Sequence, residues 1–377
     1  MTGPSIAVVG AGLIGCLVAR EVSARHPDAS VIVLDRDCVG AGASRRSAGL
    51  FLPRGATPRT RRMSAYSQAY YAALKAHWPR LPIRPVGATV ITDGTAADAA
   101  EGLSAAGYLA DVAAPARTGP PGPGIRLAAG SQAWRIGGCH HADVYGVTQC
   151  IAAELRTRAR PGDPAASELR APVRFAESVA VTGLSPGRGS VTVRVSTGER
   201  IVADRVVLAP GPWLSGPAWG DLLAPAGLRV KKIVAMHLEQ RPDPADDAVI
   251  FESDDAFLLP LPGRGHWLFS YTCQEWDVDP DALTGGLSAA DVAAARDCLR
   301  RYSPALAAAC GAGRVFCDAY SPSREPLVRA LDDAGRVVFA GAANGSGYRL
   351  GPAIGAAAAD LLDLTLSEGA TGDHQYV

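Results

Sequence analysis

The amino-terminal segment alternates short apolar runs with one amphipathic stretch. SIAVVG (5–10) predicts a buried strand, LIGCLVAREVSARH (13–26) a helix with apolar residues on one face, and SVIVLD (30–35) a second buried strand. Two buried strands around one helix are typical of a βαβ unit with parallel strands.

The rest of the chain mixes predicted strands and helices, with no internal repeat. Strand patterns occupy 173–184, 190–197, 200–211, 230–239, 256–262 and 266–272. Helical patterns occupy 59–78, 144–160 and 287–302, the last with Ser288 as a candidate cap. The final unit, 336–366, predicts a strand, a glycine-rich loop and an alanine-rich helix.

The charge balance gives no reason to expect a polyanionic partner. The 377 residues contain 37 Lys+Arg and 37 Asp+Glu, so the formal net charge is zero, and neither nucleic acid nor an anionic membrane is expected to bind. No apolar run approaches the roughly 20 residues of a membrane span, and the opening MTGPS lacks the basic region of a secretory signal. We therefore expect a cytoplasmic protein with a small-molecule ligand.

Cysteine and histidine spacing does not predict a metal site. The eight cysteines include no CxxC pair, and His140 and His141 are neighbours that cannot both face one site from a strand. We expect reduced, mostly buried thiols and structural histidines, and no bound metal.

A GxGxxG pattern joins the first strand to the first helix. Gly10, Gly12 and Gly15 make up the pattern, and Asp35 ends the second strand. Such glycines let the backbone approach a pyrophosphate at the helix N-terminus, and the carboxylate accepts hydrogen bonds from ribose hydroxyls. This context predicts an adenine dinucleotide, and the acidic Asp35 argues against the 2′-phosphate of NADP.

Four segments recur in an order more specific than any one of them. They are AVVGAGLIG with Asp35, the GAS element (42–44), VVLAPGPW (206–213) and GSGYRLGPAIG (345–355). Together they resemble the D-amino-acid oxidase superfamily of flavoproteins, in the branch of monomeric sarcosine oxidase and glycine oxidase. The resemblance implies FAD rather than NAD, because one long cofactor then uses both glycine-rich ends of the chain.

The resemblance also implies the architecture. We expect an α/β fold, with a Rossmann-type FAD-binding lobe and an inserted strand-rich (α+β) substrate-binding lobe. The FAD-binding domain is then discontinuous, with residues 1–85, 139–225 and 318–377, and the substrate-binding domain has residues 86–138 and 226–317.

The resemblance further implies which residues bind FAD. The pyrophosphate and adenosine are assigned to Gly10, Gly12, Gly15 and Asp35 with the adjacent Arg36, to Ser44 and Arg45, to the backbone of Val179, and to Gly211 in the second cofactor turn. The isoalloxazine is assigned to Gly345, Gly347, Arg349 and Leu350.

Cys317 is a candidate for covalent attachment of the flavin. Its spacing to Glu325 matches that around the cysteine that carries FAD in sarcosine oxidase. A thioether from Cys317 is one interpretation, and a buried apolar filler is the other. Ala319 stands where glycine oxidase has a carboxylate-binding arginine, which favours the sarcosine branch.

The substrate residues implied by the resemblance are cationic and aromatic. Arg349 corresponds to the lysine that grips the substrate carboxylate in sarcosine oxidase, although a structural salt bridge is an alternative. Arg62, which precedes an Ala-Tyr pair after the GAS element, is the candidate second cation, or else lies on a solvated helix face. Tyr271 and Tyr348 are candidates to shape the pocket, or core aromatics.

At two positions this sequence departs from the active-site residues of sarcosine oxidase, and the first of them bears on the reaction with oxygen. Leu268 aligns with the oxygen-activating lysine of sarcosine oxidase, and Thr272 aligns with an active-site histidine. The chain has only three lysines, and Lys231, Lys232 or an arginine are the candidates to replace the missing cation.

Three functions remain open from the sequence. The first is FAD-dependent oxidation of the C–N bond of an amino acid or secondary amine by hydride transfer to flavin N5, with an imine and H2O2 as products and O2 as acceptor. The second is a flavin-dependent dehydrogenase or biosynthetic tailoring enzyme that acts on a larger amine and reacts poorly with oxygen. The third is a flavin-binding subunit of a larger complex.

Overall fold

The computed structural model describes residues 3–93, 103–104, 107–109, 116–119, 121, 124–157, 173–283 and 286–366. The end of the predicted helix at 158–160 and residues 367–377 of the predicted FAD-binding domain lie outside the described residues.

The two strands of the predicted βαβ unit are neighbours in a six-stranded sheet, which we call the parallel sheet. In spatial order it has β19 (Leu327–Ala330), β20 (Val337–Gly341), β13 (Arg205–Leu208), β1 (Ser5–Val9), β2 (Ser30–Leu34) and β9 (Arg174–Ala176). All neighbouring strands are parallel except β19 and β20. Both faces of the central strands are buried, which explains their continuous apolar runs.

Four of the described helices pack on one face of the parallel sheet in one apolar cluster. The described helices are α1 (Leu13–Arg25), α2 (Ala43–Arg46), α3 (Pro58–His77), α4 (Val144–Arg156), α5 (Gly220–Leu223), α6 (Ala289–Arg300), α7 (Pro304–Ala308) and α8 (Gly347–Leu366). α8 packs against α1 and α3. The contact with α1 needs small residues in α8, because a Cβ added at Gly355 would lie 3.1 Å from the backbone of Leu17.

An eight-stranded sheet, the large sheet, forms the second layer. In spatial order it has β18 (Cys310–Tyr320), β14 (Arg229–Leu238), β17 (His266–Tyr271), β16 (Ala256–Leu261), β15 (Ala248–Phe251), β5 (Ala88–Asp93), β7 (Ser131–Ile136) and β6 (Ala116–Thr118). Only β15 and β5 pair in parallel.

The two faces of the large sheet belong to different apolar clusters. Met236 and Phe269 lie on the face that packs against α6 and α7 in one apolar cluster. Ala235 and Leu268 lie on the opposite face, in a second cluster. This alternation follows from the two-residue period of a strand, and it decides which side chains reach the functional site.

Two three-stranded antiparallel sheets complete the described fold. One contains β10 (Val181–Pro186), β11 (Val191–Val195) and β12 (Arg200–Ala203). The other contains β3 (Leu50–Phe51), β8 (His140–Ala142) and β4 (Ile83–Pro85).

The predicted α/β class is confirmed. α3 lies within one residue of the predicted bounds at each end, and the predicted cap of α6 is present, since Ser288 Oγ accepts a hydrogen bond of 3.1 Å from the Asp291 amide. The division into two domains at the predicted boundaries stays a prediction. None of the described helices has the length and apolar character needed to cross a membrane.

Candidate active site

The first glycine loop brings the N-terminus of α1 against the parallel sheet. Gly10 has φ +103°, and a Cβ there would lie 2.2 Å from the carbonyl oxygen of Ala209. Gly15 lets α1 lie close to this loop, because its Cβ would lie 1.9 Å from the Gly10 oxygen. Ser44 Oγ accepts a hydrogen bond of 2.9 Å from the Leu13 amide. Gly12, Leu13 and Ile14 line the cavity described below, so the N-terminus of α1 borders a space in which an anion can lie.

Asp35 lies at the end of β2 beside this loop. Its carboxylate accepts hydrogen bonds from the amides of Ala11 (2.6 Å) and Asp37 (2.8 Å), and burial raises its pKa. The Val179 amide donates to the Asp35 carbonyl oxygen at 2.8 Å. Asp35 and Val179 thus lie together, as the resemblance implied for an adenosine site.

The second glycine loop connects β20 to α8. Three of its residues have positive φ: Ala342 (49°), Asn344 (52°) and Gly345 (76°). The Asn344 side chain stabilises this turn, because its Oδ1 accepts from the Ser321 amide at 3.0 Å and its Nδ2 donates to the Ala342 oxygen at 2.8 Å. An Asn is one of the few residues besides glycine that tolerates this conformation.

A cavity of about 830 Å³ is lined by residues of both large elements of the fold, the parallel sheet and the large sheet. This volume lies at the upper end of the range for ligand sites, which is roughly 300–1,000 Å³. The predicted cofactor residues that line it are Gly10, Gly12, Asp35, Arg36, Ser44, Val179, Gly211, Gly345, Gly347 and Arg349. Both glycine loops therefore border one continuous space.

Besides Cys317, which is described below, three predicted cofactor residues do not line the cavity. Gly15 is buried in the contact between α1 and Gly10, and Leu350 is buried in the apolar core of the helical layer. Arg45 is exposed, and its guanidinium lies 5.6 Å from the Tyr145 ring centroid. The prediction of a direct pyrophosphate contact by Arg45 is wrong for this geometry, because α2 directs its side chain outward.

Cys317 lies on the face of β18 that points away from the cavity. Phe316 and Asp318 line the cavity, whereas Cys317 is buried next to its strand partner Lys232. Burial raises the pKa of the Cys317 thiol to about 12, which disfavours a reactive thiolate. The geometry therefore contradicts the predicted thioether and supports the alternative of a buried filler.

Asp318 occupies the cavity-facing position instead. The Ala319 and Gly345 backbone amides donate to its carboxylate, the former at 2.9 Å, and burial raises its pKa to about 6. Asp318 joins β18 to the second glycine loop.

Arg349 enters the cavity from the first turn of α8. Its Nη2 donates to Ser346 Oγ at 2.6 Å, and its Nε is buried without a hydrogen-bond partner among the described residues. Burial and the nearby charge of Arg54 lower the pKa of Arg349 to about 10. A buried cationic donor with an unused N–H calls for an anionic partner.

Arg54 also lines the cavity, near Arg349, and the sequence patterns did not indicate it. It pairs with Glu252 at 2.7 Å, and the Tyr108 hydroxyl donates to the same carboxylate at 2.8 Å. The predicted second cation, Arg62, is exposed on α3 and does not line the cavity. The available signal was the position of Arg54 just after strand β3, whereas Arg62 lies within a long helix.

Neither predicted pocket tyrosine offers its hydroxyl to the cavity. The Tyr271 ring stacks on Phe269, and its hydroxyl donates to the Asp291 carbonyl oxygen at 3.2 Å. The Tyr348 ring stacks on Tyr71, and its hydroxyl bonds His140 Nε2 at 2.8 Å. Both residues border the cavity, but the alternative role as core aromatics describes their side chains.

His140 is a structural residue, as predicted. Its ring stacks on Phe51 at 4.5 Å between centroids, and burial lowers its pKa to about 4. It is therefore neutral near pH 7.

Leu268 brings no cation to the cavity, but a lysine on the neighbouring strand β14 does line it. Leu268 is buried in the apolar cluster of the large sheet, whereas Lys231 lines the cavity from β14. Its Nζ lies 5.0 Å and 5.4 Å from the ring centroids of Trp276 and Tyr320, and burial lowers its pKa. Thr272 also lines the cavity and donates a hydrogen bond to Asp255.

Lys232 points to the other face of β14, into an acidic group. Cys273, Glu275 and Asp291 place ligand-type atoms within 4.8 Å of one another. The Lys232 ammonium bonds both carboxylates, at 2.8 Å to Glu275 and 3.0 Å to Asp291. The lysine thus supplies the positive charge that a metal would bring.

Comparison with protein families finds one matching model. The model described as FAD dependent oxidoreductase (DAO) matches residues 5–361. No curated protein matches the chain.

Solved structures of similar fold cover almost the whole chain. Glycine oxidase from Bacillus cereus ATCC 14579 has 16% identity and TM-score 0.72 over 96% of this chain and 95% of its own. NikD, an unusual amino acid oxidase essential for nikkomycin biosynthesis, has 18% identity and TM-score 0.71 over 98% and 96%. Amadoriase I, a fructosyl amine:oxygen oxidoreductase from Aspergillus fumigatus, has 18% identity and TM-score 0.73 over 98% and 88%.

Proposed function

Because the chain belongs to the DAO family of FAD-dependent oxidoreductases, we propose that it oxidises the C–N bond of an amino acid or secondary amine to an imine, with H2O2 as the second product. The similar structures named above act on amino acids or amines, which agrees with this proposal. FAD supplies the hydride acceptor, N5 of its ring, when it is bound.

The described residues fit FAD. The cavity joins the loop at Gly10, which packs closely against Ala209 because Gly10 has no Cβ, to the loop at Gly345. The N-terminus of α1 supplies amide donors and a favourable dipole for the pyrophosphate. Asp35 and Val179 offer hydrogen-bonding groups for the adenosine, so the adenosine end of FAD would lie along the parallel sheet.

The observation that carries the substrate proposal is the buried, unpaired Nε of Arg349. A carboxylate beside Arg349 would accept a charge-assisted hydrogen bond from this donor and neutralise the buried charge. Arg54 lies close enough to lower the pKa of Arg349, but its own charge is balanced by the ion pair with Glu252, so Arg349 is the arginine that we assign to the substrate carboxylate. Glu252 holds the Arg54 guanidinium in position through their 2.7 Å ion pair.

We also propose O2 as the electron acceptor, with Lys231 as the cation that favours charge development on oxygen. Lys231 lines the cavity and no carboxylate among the described residues pairs with it at salt-bridge distance. The runner-up is a dehydrogenase or tailoring enzyme with poor oxygen reactivity, which is favoured by the buried Leu268. Rates of reoxidation by O2 and by a quinone separate the two, because only an oxidase reacts fast with oxygen.

The test of the substrate class is anaerobic. FAD-loaded protein is mixed with L- and D-amino acids, N-methyl amino acids and amines that lack a carboxylate, and the visible flavin absorbance is followed. The proposal expects bleaching by at least one carboxylate-bearing amine and none by the matched amine without the carboxylate. Equal bleaching by both members of a pair would remove Arg349 from substrate binding.

We propose a cytoplasmic location as well. The eight cysteines are all free thiols, which is typical of a reducing compartment.

A further inference from the structure

Three side chains from distant segments meet at the rim of the cavity beside Asp35. Arg36 follows β2, Trp213 follows the turn at Gly211, and Asp281 belongs to the loop between β17 and α6. All three line the cavity. The side chains of Arg36 and Asp281 are 42% and 55% exposed, so they lie where the cavity meets solvent.

The three side chains contact one another, and Arg36 Nε also lies 3.4 Å from the Asp37 carboxylate. The Arg36 guanidinium donates twice to the Asp281 carboxylate, at 3.0 Å and 2.5 Å. Trp213 Nε1 donates to the same carboxylate at 2.9 Å, and the guanidinium carbon lies 4.4 Å from the Trp213 ring centroid. The ring also lies over Gly42, where an added Cβ would be 3.0 Å from it. Asp281 thus ties the loop of the large sheet to two segments of the parallel sheet.

The same loop holds a second set of the same chemistry away from the cavity. Arg229 donates twice to Asp277, at 2.8 Å and 2.6 Å, and lies 4.9 Å from the Trp276 ring centroid. None of these three residues is among the described residues that line the cavity. A variant in the second set therefore serves as a control. It tests whether a change in FAD release comes from a disturbed loop or from the contacts at the cavity.

We propose that Arg36, Trp213 and Asp281 form a latch over the adenosine end of bound FAD, and that opening this latch limits FAD release. The position of the latch next to Asp35 places it at the end of the cavity that fits adenosine. The orientation of Cys317 removes a covalent tether, so retention depends on non-covalent contacts of this kind. The proposal rests on FAD as the family's cofactor and is independent of the substrate.

The experiment measures FAD release from Asp281→Asn, with Asp277→Asn as the matched control. Holoprotein is diluted, and the rate at which free-flavin fluorescence appears is recorded. Asn keeps the size of the side chain but removes the charge in both variants. Asp281→Asn is expected to release FAD about fivefold faster, which corresponds to about 1 kcal/mol for an exposed ion pair. Asp277→Asn is expected to release FAD at the wild-type rate.

The salt dependence of FAD release provides a second readout for the same two proteins, the wild type and Asp281→Asn. Raising the ionic strength screens an exposed ion pair, so wild-type release accelerates with salt, while Asp281→Asn loses most of that dependence. The proposal is overturned if Asp281→Asn releases FAD at the wild-type rate, if both variants accelerate equally, or if the salt dependence of Asp281→Asn equals that of the wild type.

Discussion

Replacing Arg349 perturbs the substrate site at one defined contact. In Arg349→Ala the cavity loses a guanidinium whose only hydrogen bond to a described residue goes to Ser346, at 2.6 Å. An ionic hydrogen bond broken in a closed site costs roughly 2–4 kcal/mol, so the substrate dissociation constant should rise about 30- to 700-fold. Arg349→Lys keeps the charge but loses the two-pronged geometry of the guanidinium, so the substrate dissociation constant should rise about tenfold.

The assay separates binding from chemistry. Anaerobic stopped-flow reduction at increasing substrate concentration gives the dissociation constant and the limiting rate independently. Arg59→Ala is the control, because Arg59 is similarly accessible but pairs with Glu325 at 3.1 Å and does not line the cavity. A change of about twofold or less in the dissociation constant of Arg349→Ala, or an equal change in the control, refutes the assignment.

Three further expectations follow from other parts of the molecule. Acid precipitation should leave all flavin in the supernatant for the wild type and for Cys317→Ser, because this thiol faces away from the cavity; flavin in the pellet would contradict that orientation. Lys231→Met should slow reoxidation by O2 by about a hundredfold, the typical cost of losing one electrostatic stabiliser, and leave anaerobic reduction unchanged; unchanged reoxidation would exclude Lys231. Burial lowers the pKa of His140 from 6.5 to about 4, so the unfolded chain binds the proton first and the free energy of unfolding falls as the pH drops from about 6.5 to 4. Urea titrations of His140→Gln should show a shallower fall, and those of the exposed His77→Gln should match the wild type.

The predicted site residues that line the cavity were found from local patterns. Gly10 and Gly345 could be found because a short glycine pattern between a strand and a helix determines its own backbone geometry. Asp35 could be placed because the end of a parallel strand lies next to the neighbouring loop. These features can be predicted without knowing which distant segments of the chain they contact.

The parts that failed depend on strand phase or on distant contacts. Cys317 and Asp318 are adjacent, and a one-residue error in alignment exchanges the buried face for the cavity face. The choice of Arg62 over Arg54 failed because a helix periodicity does not say which neighbour covers each face. The contact of Arg36 with Asp281 joins residues separated by 245 positions, which no local pattern indicates.

We propose one non-covalent FAD site, at which an amine is oxidised while Arg349 holds its carboxylate. The most direct measurement is anaerobic bleaching of FAD-loaded wild-type and Arg349→Ala protein by the best carboxylate-bearing amine of the substrate panel. We expect complete bleaching of the wild type and, for Arg349→Ala, half-saturation at a concentration at least about 30-fold higher. Flavin that stays oxidised in the wild type across the whole panel, or identical titrations for the two proteins, would contradict the account.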